Sequence, residues 1–314
     1  MSNKVNKDKV IYVAGHNGLV GRATVSLLRK KGYNNIITQS SNELDLRVQV
    51  DVQRYIAKFK PDLIIDAAAK VGGIYANKTF PYSFLMDNMQ IQNNLIDASL
   101  KNEIKNFIFL GSSCIYPKLS PQPIKEEYLL TSQLEPTNKW YALAKISGVM
   151  SCDAIRQEYG YNYISLMPTN LYGEYDNFDL KTSHVIPAMI RKFHEAKINN
   201  TDVILWGSGK PSREFMHVKD LANAILFVIE NEVKESLYNV GTSKDLPIKD
   251  LAKIIQKAVG HTGNVIWDSS MPDGTPRKLL NTDKIKSLGW SPKIELEEGI
   301  KSTYSWFKNN EKVK

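Results

Sequence analysis

Lys9-Val-Ile-Tyr-Val-Ala-Gly15-His16-Asn17-Gly18-Leu19-Val20-Gly21 is a short apolar run that breaks at glycine. Arg22 to Lys31 then spaces its apolar residues as a helix does, and Gly32 supplies a stop. A Gly-x-x-Gly-x-x-Gly turn between strand and helix lets a pyrophosphate approach the backbone and sit at the helix N-terminus. No Gly-Lys-Ser/Thr follows, which excludes a P-loop. These residues predict a dinucleotide site.

The alternation continues outward from this turn. Asn35–Thr38 reads as a strand, Val48–Phe59 as a helix, and the residues from Asp62 to Ala69 as a strand. A helix from Pro81 to Lys101, a strand Asn106–Leu110, a helix Tyr141–Tyr159 and a strand Tyr163–Met167 follow. Mostly apolar strands separated by helices predict a parallel sheet covered on both faces. After Gly173 the rhythm loosens. Helices are expected at His184–Lys197, His217–Asn231, Ile248–Val259 and Leu296–Phe307, strands at Val203–Trp206 and Leu237–Val240, a loop at Gly207–Arg213, and a turn at Pro272–Pro276. The fold class is therefore α/β, a Rossmann-type doubly wound parallel sheet with a smaller C-terminal α/β substrate domain. Residues 1–172, with returning segments near 215–241, form the nucleotide-binding part, and 173–214 with 242–314 the substrate part.

A second constellation lies further along. Phe107-Ile-Phe-Leu110 ends in Gly111-Ser112-Ser113-Cys114-Ile-Tyr-Pro117, and Tyr141 and Lys145 stand four apart in a helical pattern, hence on one face. A phenol is a poor acid–base group at neutral pH until a nearby ammonium stabilises its phenolate. Lys145 supplies that charge, and Ser112 or Ser113 supplies a hydrogen bond to a substrate carbonyl. If extended geometry persists past Leu110, Ser112 and Cys114 face one pocket.

Ala-Gly-His-Asn-Gly-Leu-Val-Gly21, Ala-Ala-Ala-Lys-Val-Gly-Gly73, Gly-Ser-Ser-Cys-Ile-Tyr-Pro117, Leu-Glu-Pro-Thr-Asn138, Met-Pro-Thr-Asn-Leu-Tyr-Gly173, Trp-Gly-Ser-Gly209, Arg-Glu-Phe215 and Pro-Asp-Gly-Thr-Pro-Arg-Lys278 carry a resemblance that spans nearly the whole chain. In these motifs the chain resembles the extended short-chain dehydrogenases/reductases, and among them the GDP-4-keto-6-deoxymannose epimerase-reductases, the GDP-L-fucose synthase family. The resemblance implies that Ser112, Tyr141 and Lys145 are the reductase triad, and that Cys114 and His184 are base and acid for epimerisation at C3 and C5. It implies NADPH/NADP+ as cofactor, held by Gly15, His16, Asn17, Gly18, Leu19, Val20 and Gly21 at the turn. Ser41, Asn42, Glu43, Leu44, Asp45 and Leu46 would flank the adenosine. Leu110, Gly111, Ser112, Ser113, Lys145, Pro168, Thr169, Asn170, Leu171 and His184 would surround the rest of the cofactor. Lys192, Trp206, Arg213, Asp273 and Lys278 would hold a GDP-4-keto-6-deoxy-sugar, and helices 81–101 and 141–159 would pair two copies as a homodimer.

The chain departs from the family pattern at several places. Gln39-Ser40-Ser41-Asn42, after the second strand, holds neither an acid for a ribose hydroxyl nor an arginine for a 2′-phosphate, and Asn17 stands where a basic residue is usual. On these residues alone NAD and NADP stay open. Trp140 precedes the tyrosine where proline is usual, and Lys192 replaces an arginine. A C4 reductase of a GDP-4-keto-6-deoxy-heptose or colitose precursor is the alternative enzyme, and a non-catalytic dinucleotide-sensing regulator the alternative of another class. The intact triad argues against the regulator.

Composition bounds the remaining possibilities. The 42% hydrophobic and 24% charged fractions are those of a soluble globular protein, and no apolar run approaches the ~18 residues a membrane span needs. Met1–Lys9 lacks an apolar leader core, and the two cysteines have no metal-ligand spacing, which predicts a cytoplasmic protein with free thiols and no metal. The net charge of +8 comes from scattered lysines rather than a basic stripe, which suits an anionic nucleotide and not a nucleic acid.

Overall fold

The computed structural model describes residues 5–271 and 273–310; Met1–Lys4 of the expected leaderless segment and Pro272 of the expected turn lie outside them. The first half alternates β1 (Ile11–Ala14), α1 (Leu19–Lys30), β2 (Ile36–Ile37), α2 (Gln49–Phe59) and β3 (Leu63–Asp66). It continues through α3 (Ile74–Thr79), α4 (Pro81–Lys101), β4 (Asn106–Leu110), α5 (Lys139–Tyr159) and β5 (Asn162–Pro168). Then come β6 (Asn170–Tyr172), α6 (Val185–Asn199), β7 (Val203–Trp206), β8 (Ser212–His217), α7 (Val218–Glu230) and β9 (Leu237–Val240). The chain ends with β10 (Asp245–Pro247), α8 (Ile248–Val259), β11 (Val265–Asp268), β12 (Arg277–Lys278), α9 (Asp283–Ser287) and α10 (Leu296–Asn310).

Strands β2-β1-β3-β4-β5-β9 form one six-stranded sheet in that order, and every neighbouring pair is parallel. The chain moves from β1 outward to β2 and returns to β3 on the other side, so the order reverses beside the glycine turn. Alternation along each strand sends side chains to two apolar layers. Val13, Ile65, Ile108 and Leu166 pack with α1 and α7, while Tyr12, Ile64, Phe107 and Phe109 pack with α4 and α5. Both faces are covered, so β1 and β3 are buried throughout and β4, β5 and β9 beyond their first residue, while the edge strand β2 is partly buried.

The rest of the chain builds a second layer of short strands. β8 pairs with β6, β10 and β12, while β7 and β11 form a two-stranded parallel ribbon. A third apolar cluster fills this part, with Ile190 and Phe193 of α6, Leu251 and Ile255 of α8, and Ile300 and Phe307 of α10. Glu214 of β8, fully buried, ties the parts together: its carboxylate accepts from the backbone N–H of Thr242 (2.6 Å), Ser243 (2.7 Å) and Leu280 (2.9 Å). Burial raises its pKa and those three bonds oppose the rise.

Two expectations need correction. β8 occupies residues 212–217, part of which reads as loop and helix start, because a strand bearing Ser, Arg and Glu shows no apolar alternation and exists by virtue of its three partners. Extended geometry also stops at Ser112: residues Ser113–Ile115 form a 3₁₀ turn, and the Ser112 hydroxyl accepts from the Cys114 N–H at 3.2 Å. A serine at the head of a turn satisfies an otherwise orphaned amide, which ends the strand there.

Candidate active site

The glycine turn is shaped by close contacts. Gly15 adopts φ +75°, where a side chain is strained, and a Cβ on Gly21 would overlap the Gly15 carbonyl. Gly18 heads α1 with no side-chain cap, so first-turn amides stay available to an anion. His16 Nδ1 is buried without a hydrogen-bond partner, an arrangement that costs free energy unless a ligand engages it. These features fit a dinucleotide pyrophosphate. At the end of β2 the Glu43 carboxylate folds back onto the Ser40 N–H (2.9 Å) and hydroxyl (2.7 Å). Those bonds hold its pKa below the ordinary carboxylate value. An acid therefore does reach this end of the sheet, from a place in sequence where the strand had already ended.

Leu110, Gly111 and Ser112 leave β4 beside β5, and the Gly111 N–H donates to the Leu166 carbonyl at 3.0 Å. Lys145, buried in α5, donates from Nζ to the Leu110 carbonyl at 2.9 Å and lies 4.6 Å from the centre of the Phe109 ring. Burial lowers the Lys145 pKa, while the negative charge of Asp66 opposes that. Tyr141, one turn earlier, packs its ring edge against Phe84. Burial pushes the Tyr141 phenol up, a charge on Cys114 adds to this, and a hydrogen bond with Ser112 works against it. Ser112, Tyr141, Lys145 and Cys114 thus meet at the ends of β4 and α5.

Residues from the second layer reach the same place. Lys278 of β12 donates to the Cys114 sulfur at 3.4 Å. Arg213, paired with Lys278 in register across β8 and β12, is half-buried. Burial lowers its pKa, while the charges of Cys114, Asp273 and Glu135 favour the cation. His184 heads α6, and its pKa is lowered by partial removal from water although the ring keeps an exposed face. The preceding Ser183 leaves no room for a side chain on Gly73, which links this loop to the Gly-Gly segment after β3.

The remaining expected ligand contacts are spread over several elements. Lys192 donates to the Ile204 carbonyl at 2.9 Å and lies 5.4 Å from the centre of the Trp206 ring, so a cation and a half-exposed indole stand side by side. Asp273 is occupied by the Ser208 N–H (2.6 Å) and hydroxyl (2.7 Å), which shapes the turn after β7 rather than leaving a free carboxylate. Thr169 and Asn170 are tethered to the Glu214 carbonyl at 3.1 and 2.8 Å. Trp140 lies partly exposed on α5 under the Lys139 ammonium. Two residues were not singled out from sequence. Glu135 pairs with Lys118 at 3.0 Å and its charge favours the Arg213 cation; the charge of Asp66 favours the Lys145 cation. A lone acid closing the apolar run Leu-Ile-Ile-Asp66 was the available signal. An open depression of about 550 Å³ between α8 and α10 carries none of these groups. Among the described residues no helix is long and apolar enough to cross a membrane, and no cluster has the makings of a metal site.

Comparison with known proteins agrees with this geometry. The family model described as NAD dependent epimerase/dehydratase matches residues 11–241. GDP-L-fucose synthase 1 of Arabidopsis thaliana is 48% identical over 311 residues, covering 99% of this chain and 96% of its own. A solved GDP-6-OMe-4-keto-L-xylo-heptose reductase from C. jejuni superimposes with TM-score 0.93 at 34% identity, over 98% of this chain and 99% of that one. A GDP-L-fucose synthetase from Naegleria fowleri bound to NADP superimposes with TM-score 0.90 at 29% identity, over 99% and 97% of the two chains. The chain belongs to the NAD dependent epimerase/dehydratase family, alongside the GDP-L-fucose synthases.

Proposed function

We propose that this protein is an NADPH-dependent epimerase-reductase that converts GDP-4-keto-6-deoxy-D-mannose to GDP-L-fucose. The observation that carries the reading is that Ser112, Tyr141 and Lys145 converge with Cys114 at the end of β4, on a family framework whose GDP-L-fucose synthase relatives match it end to end. Gly15, Gly18 and Gly21 would hold NADPH at the turn, and the cofactor when bound would supply the hydride for C4. Ser112 and Tyr141 hold the C4 carbonyl oxygen, which makes the hydrogens at C3 and C5 acidic by absorbing enolate charge. The Cys114 thiolate removes such a proton, and His184 returns one to the opposite face. Tyr141 then gives its proton to O4 as the carbonyl is reduced, with the Lys145 ammonium stabilising the phenolate left behind. Lys192, Trp206 and Arg213 bind the GDP portion through cationic and stacking contacts. The half-exposed Leu143 and Met150 of α5 suit a homodimer through α4 and α5 in the cytoplasm.

The test is NMR of the product formed from GDP-4-keto-6-deoxymannose and NADPH in D2O. Deuterium at C3 and C5 together with NADPH oxidation supports the reading, and Tyr141→Phe should lower turnover roughly a thousand-fold while NADPH still binds. A product reduced at C4 but free of deuterium would instead favour the C4-reductase reading suggested by the heptose reductase neighbour.

A further inference from the structure

Beneath the Tyr141–Lys145 helix the apolar layer contains a group that the mechanism does not use. Asp66 ends β3, is fully buried, and stands in register with Phe109 of β4, the ring that carries Lys145. Its Oδ1 accepts from the Ala68 N–H at 3.1 Å, whereas Oδ2 is buried without a hydrogen-bond partner. An amide would serve the Ala68 bond equally well, so that bond does not account for a carboxylate. A buried acid with one bare oxygen is costly unless a charge compensates it.

The surroundings identify that charge. Tyr12 from β1 and Lys145 and Cys152 from α5 are the titratable groups that interact with Asp66 or with Lys145. Burial pushes both the Tyr12 phenol and the Cys152 thiol up, so both are neutral at ordinary pH. The buried polar residues that α4 offers nearby, Asn88 and Gln92, are uncharged, and β4 contributes Phe109 and Leu110. Lys145 is the cation of this set.

We propose that Asp66 is a positioning residue that keeps Lys145 in its ammonium form for the Tyr141 hydroxyl. This rests on the reductase reading for its use, though the interaction exists in the protein without ligand. Burial alone favours a neutral lysine, and a neutral lysine stabilises no phenolate. The buried carboxylate, in register beside Phe109, supplies the opposing field in a place where solvent does not screen it. The pairing is reciprocal: burial raises the Asp66 pKa, and Lys145 and the Ala68 bond pull against the rise, leaving it at about 6.

The test is an NMR titration of ¹³Cε-lysine-labelled protein without cofactor, with the Lys145 signal assigned by Lys145→Met. Asp66→Asn should lower the Lys145 midpoint by about one unit, a tenfold loss of proton affinity, and should move the alkaline limb of the kcat profile down by the same amount. An unchanged midpoint would overturn the proposal. Should Asp66→Asn fail to fold, the reciprocal measurement decides: in Lys145→Met the Asp66 ¹³Cγ midpoint should rise, and an unmoved midpoint is again the contrary result. The titration needs no turnover. Absence of GDP-sugar reduction by the wild type would therefore overturn the function and leave the Asp66–Lys145 result standing.

Discussion

The Lys278 ammonium donates to the Cys114 sulfur across 3.4 Å, joining a two-residue strand near the end of the chain to the turn after β4. A cation hydrogen-bonded to a thiolate stabilises it, and such charge-assisted bonds are worth about 1.5–3 kcal/mol. We therefore expect Lys278→Met to slow deuterium incorporation at C3 and C5 roughly tenfold or more. C4 reduction of an already epimerised substrate should change much less. If Lys278 served only the diphosphate, KM would rise and the ratio of exchange to reduction would stay the same.

His184 carries a pH prediction. Partial removal from water lowers its pKa below the ordinary histidine value, so near neutrality the ring is largely neutral and the proton-donating form grows as pH falls. Measured against His184→Asn, which keeps the Cys114 step, the wild-type ratio of deuterium incorporation to reduction should gain as pH falls from about 8 to about 6. A wild-type-to-variant difference that stays constant over that range would contradict the assignment of His184 as the acid.

Gly21→Ala tests the turn. The added Cβ would meet the Gly15 carbonyl and the His16 backbone, which have no flexible end to move aside. Overpacking of this kind costs about 1–3 kcal/mol. NADPH binding, followed by fluorescence, should weaken more than the melting temperature falls, because the displaced backbone is the part that would approach the pyrophosphate. Unchanged affinity would show that the turn does not hold the cofactor.

Asp66 should make stability depend on pH. Its native pKa of about 6 lies above the reference 3.8, so the native state binds the extra proton. Its contribution is fully present below about pH 4 and is lost as pH rises through about 6, a change of roughly 3 kcal/mol. In denaturant titrations, Asp66→Asn should gain stability relative to wild type across that window. A constant difference between the two proteins from pH 4 to about pH 8 would show that Asp66 does not titrate there.

The sheet was legible because its signals are local. Four- and five-residue apolar strands, a glycine triplet and helices with one apolar face appear in the sequence at fixed spacing, and burial on both faces leaves the strands little freedom to be anything else. The pairing of Tyr141 with Lys145 was legible for the same reason, since a helix puts residues four apart on one face.

In the second layer β7 was legible at Val203–Trp206, but β6, β8, β10 and β12 were not, because they exist through partners remote in sequence and through the Glu214 carboxylate among them. By itself, then, the sequence determined the parallel sheet, the glycine turn and the residue types at the end of β4. Only the tertiary structure decided that Cys114 leaves the strand in a tight turn, that Lys278 comes to its sulfur, and that Asp66 and Lys145 both stand beside Phe109. The physical reason is that periodicity specifies which face of an element is buried, whereas the partner of a buried charge is set by how distant elements pack.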